Sequence, residues 1–449
     1  MDRECYITVD VGSTNIKAAK ILEDGTILHS SSIRLSPRGD KGMAQVDAEE
    51  LYSTVIRAVR EAAGCGSDSV KAIGIVSQMA GMVLLDSHKN PVFPVIYGID
   101  TRGQDFLEEW TKRIDKEEIL KVTRCPLEGI YWPAKWLWLQ ANESEKIQNV
   151  RYVLGIKDYL IYRMTGELVT DPSLASATSM YDLEKGNWWE KCREILEMDG
   201  ICFPKIRKPS EIAGEITRGA ALELGLSPGI PVIVGSGDGP ASSISCGALR
   251  PENGCISFGT TTVIRFLGRG LPEHLTEKCF CQHFYDDWYF YGLRLNDTGK
   301  TVDMYKDMED APGGESKYFW INGTFFPTEP ITSYEKYQAV LLGILFQLYD
   351  GFEDLSGVVN IQKLCCTGGG SRDRMWMQQL ANLFGKPVIL QEEEGSFTGI
   401  LAMILAALNK YDDIGESIRH IHPKKEMLFP SDGQQIREQY DIYKNLLRT

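Results

Sequence analysis

Two segments about 250 positions apart share one layout, and that repetition constrains the fold more than anything else in the chain. In the first, the β-rich run Tyr6–Val9 ends at Asp10, Gly12, Ser13, Thr14 and Asn15 form a turn, and Ile16–Leu22 returns as a second strand. In the second, the strand Cys255–Phe258 leads into Gly259, Thr260, Thr261 and Thr262 and comes back along Val263–Leu267. Strand, small-residue turn and strand read as a hairpin. The turn amides with the Ser13 and Thr14 hydroxyls are the donors a phosphate requires, Lys17 adds a cation, and Asp10 is a magnesium or water ligand. It is not a P-loop, which needs GxxxxGK[ST] between a strand and a helix. For the first segment alone, an Asx-type turn in a plain hairpin is the alternative. Two similar domains, each contributing one hairpin, create a cleft between them.

Length agrees with that division. The 449 residues exceed the ~250–300 at which a single core stops growing. The expected domains are residues 1–249 and 250–449. Between them runs Val232–Leu249, an apolar strand that meets Gly235, Gly237 and Gly239 and continues, after Pro240, as a small-residue helix. Its one acid, Asp238, is either a turn residue or a catalytic one. A third Gly-rich turn, Gly368–Gly369–Gly370–Ser371, lies between the strand Leu364–Thr367 and a helix from about Asp373 to Phe384. Such a helix N-terminus suits a nucleotide or another polar ligand. Asp100 and Arg102 stand at a loop-to-helix junction, where they suit a sugar hydroxyl or form an N-cap with a solvated arginine. The aromatic run Trp132–Trp138 suits either sugar stacking or core packing.

The net charge of −14, without a block of Lys and Arg, argues against nucleic acid or an anionic membrane as the main partner. The apolar helix Gly399–Leu408 is about half the ~20 residues needed to span a bilayer and has the look of close helix packing. Eleven cysteines without paired CxxC spacing, and a start with no signal-peptide core, point to a reducing cytoplasm. No HxxxH or HExxH spacing occurs among the six histidines.

Taken together, DVGSTNIK (10–17), SQMAG (77–81), GIDTR (98–102), KDYLIYRMTGELVTD (157–171), VGSGDGPAS (234–242), SFGTTTV (257–263) and GGGSRDRMWMQQLANLFGKPV (368–388) resemble the FGGY carbohydrate kinase family, in the right order and over nearly the whole chain. The resemblance implies an α/β fold of two actin-like, ribonuclease-H-like domains with sugar and ATP in the cleft. It implies that Asp238 is the catalytic base and that Asp10 organises the Mg²⁺ of Mg-ATP. Ser13, Thr14 and Lys17 match the first phosphate-binding turn, and Gly259 and Thr260 match the second. Gly369, Gly370 and Asp373 fall where the family holds adenosine, and Gly299 near the nucleotide. Met79, Asp100 and Arg102, with Asp238, match the sugar side.

The acceptor expected from the resemblance is a ketopentose such as xylulose, with gluconate or another sugar acid or polyol as the alternative. Ala80 stands where xylulose kinases carry the histidine of QMHG, and Gly239 resembles some gluconate kinases. A homodimer stays open. A nucleotide-binding dehydrogenase fits poorly, because the third glycine of GxGxxG would fall on Pro240. An actin-like ATPase or a sugar-sensing module without transfer activity shares the phosphate hairpins, but would not need Asp238 as a base.

Overall fold

The computed structural model describes residues 3–64, 69–247, 249–273, 275–306, 318–321, 323–326, 332–355, 357, 359–391, 395–421 and 425–447. Its first sheet contains β1 (Cys5–Val11), β2 (Asn15–Leu22), β3 (Ile27–Arg34), β4 (Val70–Ser77), β5 (Ile212–Glu215) and β6 (Pro231–Ile233). The spatial order is β5-β6-β4-β1-β2-β3. The second sheet contains β7 (Asn253–Phe258), β8 (Thr262–Arg269), β9 (Cys279–Tyr285), β10 (Trp288–Leu295), β11 (Lys363–Gly368), β12 (Val388–Gln391) and β13 (Lys425–Leu428), in the order β9-β10-β8-β7-β11-β12-β13.

The two sheets repeat one topology. β1 pairs antiparallel with β2 and parallel with β4, and β7 pairs antiparallel with β8 and parallel with β11. Each sheet closes on the far side with an antiparallel edge pair, β5 on β6 and β13 on β12. The repeated hairpins of the sequence are therefore the centres of two like sheets, and β9 is an addition to the second.

The pleat sends alternate side chains of β1 to opposite faces, and both faces are covered. Ile7, Val9 and Val11 join a buried cluster with Leu51, Val55 and Val59 of α1 (Ala48–Ala63). That helix begins where Asp47 accepts hydrogen bonds from the Glu49 and Glu50 amides. Tyr6 belongs to another cluster with Ala241 and Ile244 of α4 (Asp238–Ser245) and Ile400, Leu401 and Ile404 of α8 (Gly395–Ala407). The same cluster takes in Leu267 and Phe290 of the second sheet. Although α8 comes late in the chain, it packs against β1, β4 and α4 and so joins the two sheets. Its small residues allow that approach, as the close-packing reading of this helix expects.

Three other helices matter for the site. They are α2 (Trp132–Asn142), α5 (Thr298–Lys306) and α7 (Arg374–Phe384), with α3 (Ile156–Thr165) lying before α4 and α6 (Ser333–Leu355) before α7. Trp132 and Trp136 of α2 are 1% and 3% exposed in a large core cluster, which resolves the aromatic run as packing rather than a stacking platform. No helix among the described residues is long and apolar enough to cross a membrane.

Candidate active site

A cleft of about 1150 Å³ opens between the sheets, lined by both hairpin turns, the third Gly-rich turn and the start of α4. Strand ends and helix starts leave backbone N–H groups without partners in their own element, and they can face a ligand here.

The first turn holds Ser13, Thr14 and Lys17, all on the cleft wall. The Gly12 amide closes the turn on the Asn15 carbonyl at 3.1 Å. Gln78, at the end of β4, clamps it from the side: its backbone N–H donates to the Val11 carbonyl at 2.9 Å and its Nε2 to the Gly12 carbonyl at 3.3 Å. The Gln78 Oε1 in turn accepts the Gly98 amide at 3.1 Å. Asp10 leaves the end of β1, opposite Lys17 in the hairpin register, and accepts a hydrogen bond from the Ser396 hydroxyl of α8 at 2.6 Å.

In the second turn Gly259 and Thr260 also line the cleft. Gly299 supports it from behind, with its amide donating to the Thr260 carbonyl at 3.1 Å. In the third turn Gly369 is open to the cleft, whereas Gly370 lies beneath it. A Cβ on Gly370 would come within 2.9 Å of both Phe258 and Trp376, so that glycine is required by packing. Asp373 caps α7 by accepting the Trp376 amide at 2.9 Å and lies off the cleft wall. Arg372, Arg374 and Lys300 place cations nearby.

Asp238 is the first residue of α4, half-buried at the cleft floor, with Oδ1 accepting the Gly239 amide at 2.7 Å. The helix starts ahead of Pro240, which therefore sits in the first turn, where a missing N–H breaks no helical bond. Desolvation raises the Asp238 carboxyl to about 6, and the negative Asp10 adds to it. Arg265 on β8 acts the other way and favours the ionised form.

Met79 lines the cleft and packs against Gly237. Asp100 and Arg102 do not face the cleft, which corrects the expectation that they bind the sugar. They are 0% and 5% exposed and pair with each other. Arg102 Nε donates to Asp100 Oδ1 at 2.8 Å and Nη2 to Oδ2 at 2.7 Å. Asp100 Oδ2 also accepts the Ala44 amide at 2.6 Å, and Arg102 Nη2 reaches Gln45 Oε1 at 2.8 Å. The pair fastens Ala44 and the 98–101 turn, and it is these that line the cleft. Ala80 is held in a left-handed conformation (φ 58°), with its carbonyl accepting from the buried Lys135 Nζ at 3.0 Å.

Sequence reasoning missed Gln78, Ser396, Arg265 and Arg294. Arg265 carried a signal, being the one charge in the apolar strand Val263–Leu267, and Ser396 carried none.

The cleft between two like α/β domains, with small-residue and hydroxyl-bearing turns on its walls and a carboxylate at its floor, has the architecture of a sugar kinase. The model of the FGGY carbohydrate kinase N-terminal domain matches residues 5–245 and that of the C-terminal domain residues 321–409. The chain belongs to the FGGY family of carbohydrate kinases and is an enzyme of that class. Among its relatives are a xylulose kinase of Staphylococcus xylosus, 22% identical over 98% of this chain and 99% of the other, and a gluconokinase of Bacillus subtilis, 24% identical over 92% and 90%. The solved gluconate kinase of Lactobacillus acidophilus superposes with a TM-score of 0.89 at 22% identity, covering 99% of this chain and 98% of the other. The xylulose kinase of the same organism gives 0.88 at 24% identity, covering 99% of each. These likenesses show the two-domain, actin-like fold.

Proposed function

We propose that this sugar kinase transfers the γ-phosphoryl group of Mg-ATP to a hydroxyl of a small sugar, with Asp238 as the general base. Residues 1–249 carry the acceptor side and the base, and residues 250–449 the nucleotide side. The observation that carries the proposal is Asp238 itself: a carboxylate raised to about 6 at the floor of a cleft ringed by three amide-bearing turns. A group of that basicity accepts a hydroxyl proton near neutral pH, provided the acceptor lies within hydrogen-bond reach.

Phosphoryl transfer otherwise demands positioning and charge neutralisation. Ser13, Thr14, Gly259 and Thr260 border the space where the phosphates would lie, Lys17 is on the same wall, and Gly369 with Gly370, Gly299 and Asp373 shape the nucleotide end. Asp10 offers Mg²⁺ a hard oxygen ligand, already oriented by Ser396. Among the described residues no group of three or more His, Cys, Asp or Glu could hold a metal ion. One carboxylate plus phosphates and water is how Mg²⁺ is commonly bound in phosphoryl-transfer sites. Bound there, Mg²⁺ would neutralise charge on the β- and γ-phosphates. Asp238 takes the proton of the acceptor hydroxyl, the hydroxyl oxygen bonds to the γ-phosphorus, and ADP leaves.

The names of the relatives support both a ketopentose such as xylulose and gluconate as acceptor. The test is ADP release with magnesium and ATP against a panel of ketoses, polyols and sugar acids. Stimulation by one sugar class supports the reading. Basal hydrolysis that no sugar accelerates would overturn it.

A further inference from the structure

The cleft wall contributed by the second sheet is cationic where a neutral sugar would not require it. On its face stand Val263 and Arg265 of β8, Phe280 and Gln282 of β9, and Arg294 of β10. In the register Val263 lies opposite Arg294 and Arg265 opposite Gly292, so the two arginines are diagonal neighbours on one face. Both project from largely buried strands that, apart from Thr262 and the exposed Arg269 at the ends of β8, are otherwise apolar.

Arg265 is 7% exposed, and its Nε has no hydrogen-bond partner. Its one hydrogen bond among the described residues runs from Nη1 to the Ser257 hydroxyl at 3.3 Å, and it forms no salt bridge with a described carboxylate. Arg294 is engaged by Glu128 from across the cleft and faces the Tyr131 ring at 6.0 Å, and its Nε also has no partner. The space Arg265 occupies is made by Gly239, next to Asp238. A Cβ there would sit 2.3 Å from Arg265 Nη2. The base and the guanidinium therefore share one floor, beyond salt-bridge distance from each other. On the opposite wall Met79 and Ala80 bring no charge, and Asp100 and Arg102 are turned inward on each other.

A buried guanidinium needs a counter-charge throughout the reaction. Asp238 supplies one at rest and loses it on taking the acceptor's proton. An acceptor with its own carboxylate supplies a charge that persists, in the planar geometry a guanidinium matches with two parallel hydrogen bonds. We infer that the acceptor is a polyhydroxy acid whose carboxylate seats on Arg265, with Arg294 as a second donor, and that Arg265 determines this specificity.

The inference rests on the kinase reading and deepens it. The test uses the full chain with Mg-ATP and compares a six-carbon aldonate (gluconate) with its neutral amide, the matching alditol and xylulose. For the wild type, kcat/KM for the acid should exceed that for the neutral amide by about 10²-fold, the order expected for a desolvated charge pair. Arg265→Gln should lower kcat/KM for the acid by a similar factor and bring the acid-to-amide ratio towards one, with Arg265→Lys recovering part of it. A wild type that prefers xylulose or the alditol overturns the inference and leaves the kinase standing. So does a variant that slows acid and neutral acceptors equally, because Arg265 would then serve only Asp238. If no acceptor of either charge stimulates ADP release, the kinase reading itself falls. The wild-type ratio needs no variant and decides by itself.

Discussion

The Ser396 hydroxyl donates to Asp10 Oδ2 at 2.6 Å across 386 positions of sequence, joining the first turn of α8 to the end of β1. Both residues line the cleft, and Ser396 is 4% exposed. A charge-assisted hydrogen bond in so dry a place fixes the carboxylate's orientation for the magnesium ion proposed to bind there. Ser396→Ala should keep the fold and raise the free Mg²⁺ needed for half-maximal turnover by about 10-fold, since hydrogen bonds to charged groups contribute about 1.5–3 kcal/mol. Magnesium titration of the rate checks this. An unchanged magnesium requirement would show that Asp10 is held well enough without the serine.

Asp238→Asn should remove the base while leaving the backbone of α4 intact. Turnover should fall by about 10²–10⁴-fold, with ATP affinity close to that of the wild type. The same change should flatten the fall in melting temperature between pH 4 and 7 that this carboxyl contributes. The folded carboxyl binds its proton more tightly than the unfolded one, so its ionisation opposes folding as pH rises from near 4 through about 6. Asparagine removes that opposition. A variant with wild-type turnover would remove Asp238 from the chemistry.

The pH profile follows from the same group. As the proposed base, Asp238 would work only when ionised, so kcat/KM for the acceptor should fall as pH drops through about 6, or somewhat lower where Mg²⁺ offsets the charge of Asp10. Arg265 favours the ionised form, and Arg265→Gln should therefore move this limb to higher pH. A limb that stays in place would mean the guanidinium does not act on the base. Rates measured between pH 5 and 8 on both proteins are sufficient.

The turns were legible in the sequence because backbone amides at strand ends demand small and hydroxyl residues in a row, as in Gly12–Ser13–Thr14 and Gly259–Thr260–Thr261. The doubled topology was legible for the same reason. Which way a polar side chain points was readable only where a period fixes it. Arg265 alternates with Val263 along β8 and shares its cleft-facing side, so the strand pattern carried that information. Asp100 and Arg102 lie in a loop with no period, and their i, i+2 spacing closed them into a pair rather than opening them to a ligand. Ser396 reaches Asp10 only through the long-range packing of α8, which nothing local encodes.

The Asp100–Arg102 pair yields a prediction that separates support from ligand contact. Asp100 accepts from the Ala44 amide, the Arg102 amide and two guanidinium nitrogens, all without solvent. Asp100→Asn leaves the Arg102 charge buried and uncompensated, a change that costs about 3–5 kcal/mol. The melting temperature should fall by about 5 °C or more. The loosened Ala44 and Gly98–Thr101 segments should raise the acceptor KM while ATP affinity stays nearly constant, because the turns proposed to hold the nucleotide lie on other elements. A direct sugar ligand would behave differently, raising KM with little change in melting temperature. Thermal unfolding and acceptor kinetics on the one variant therefore distinguish a residue that shapes the wall from one that touches the substrate.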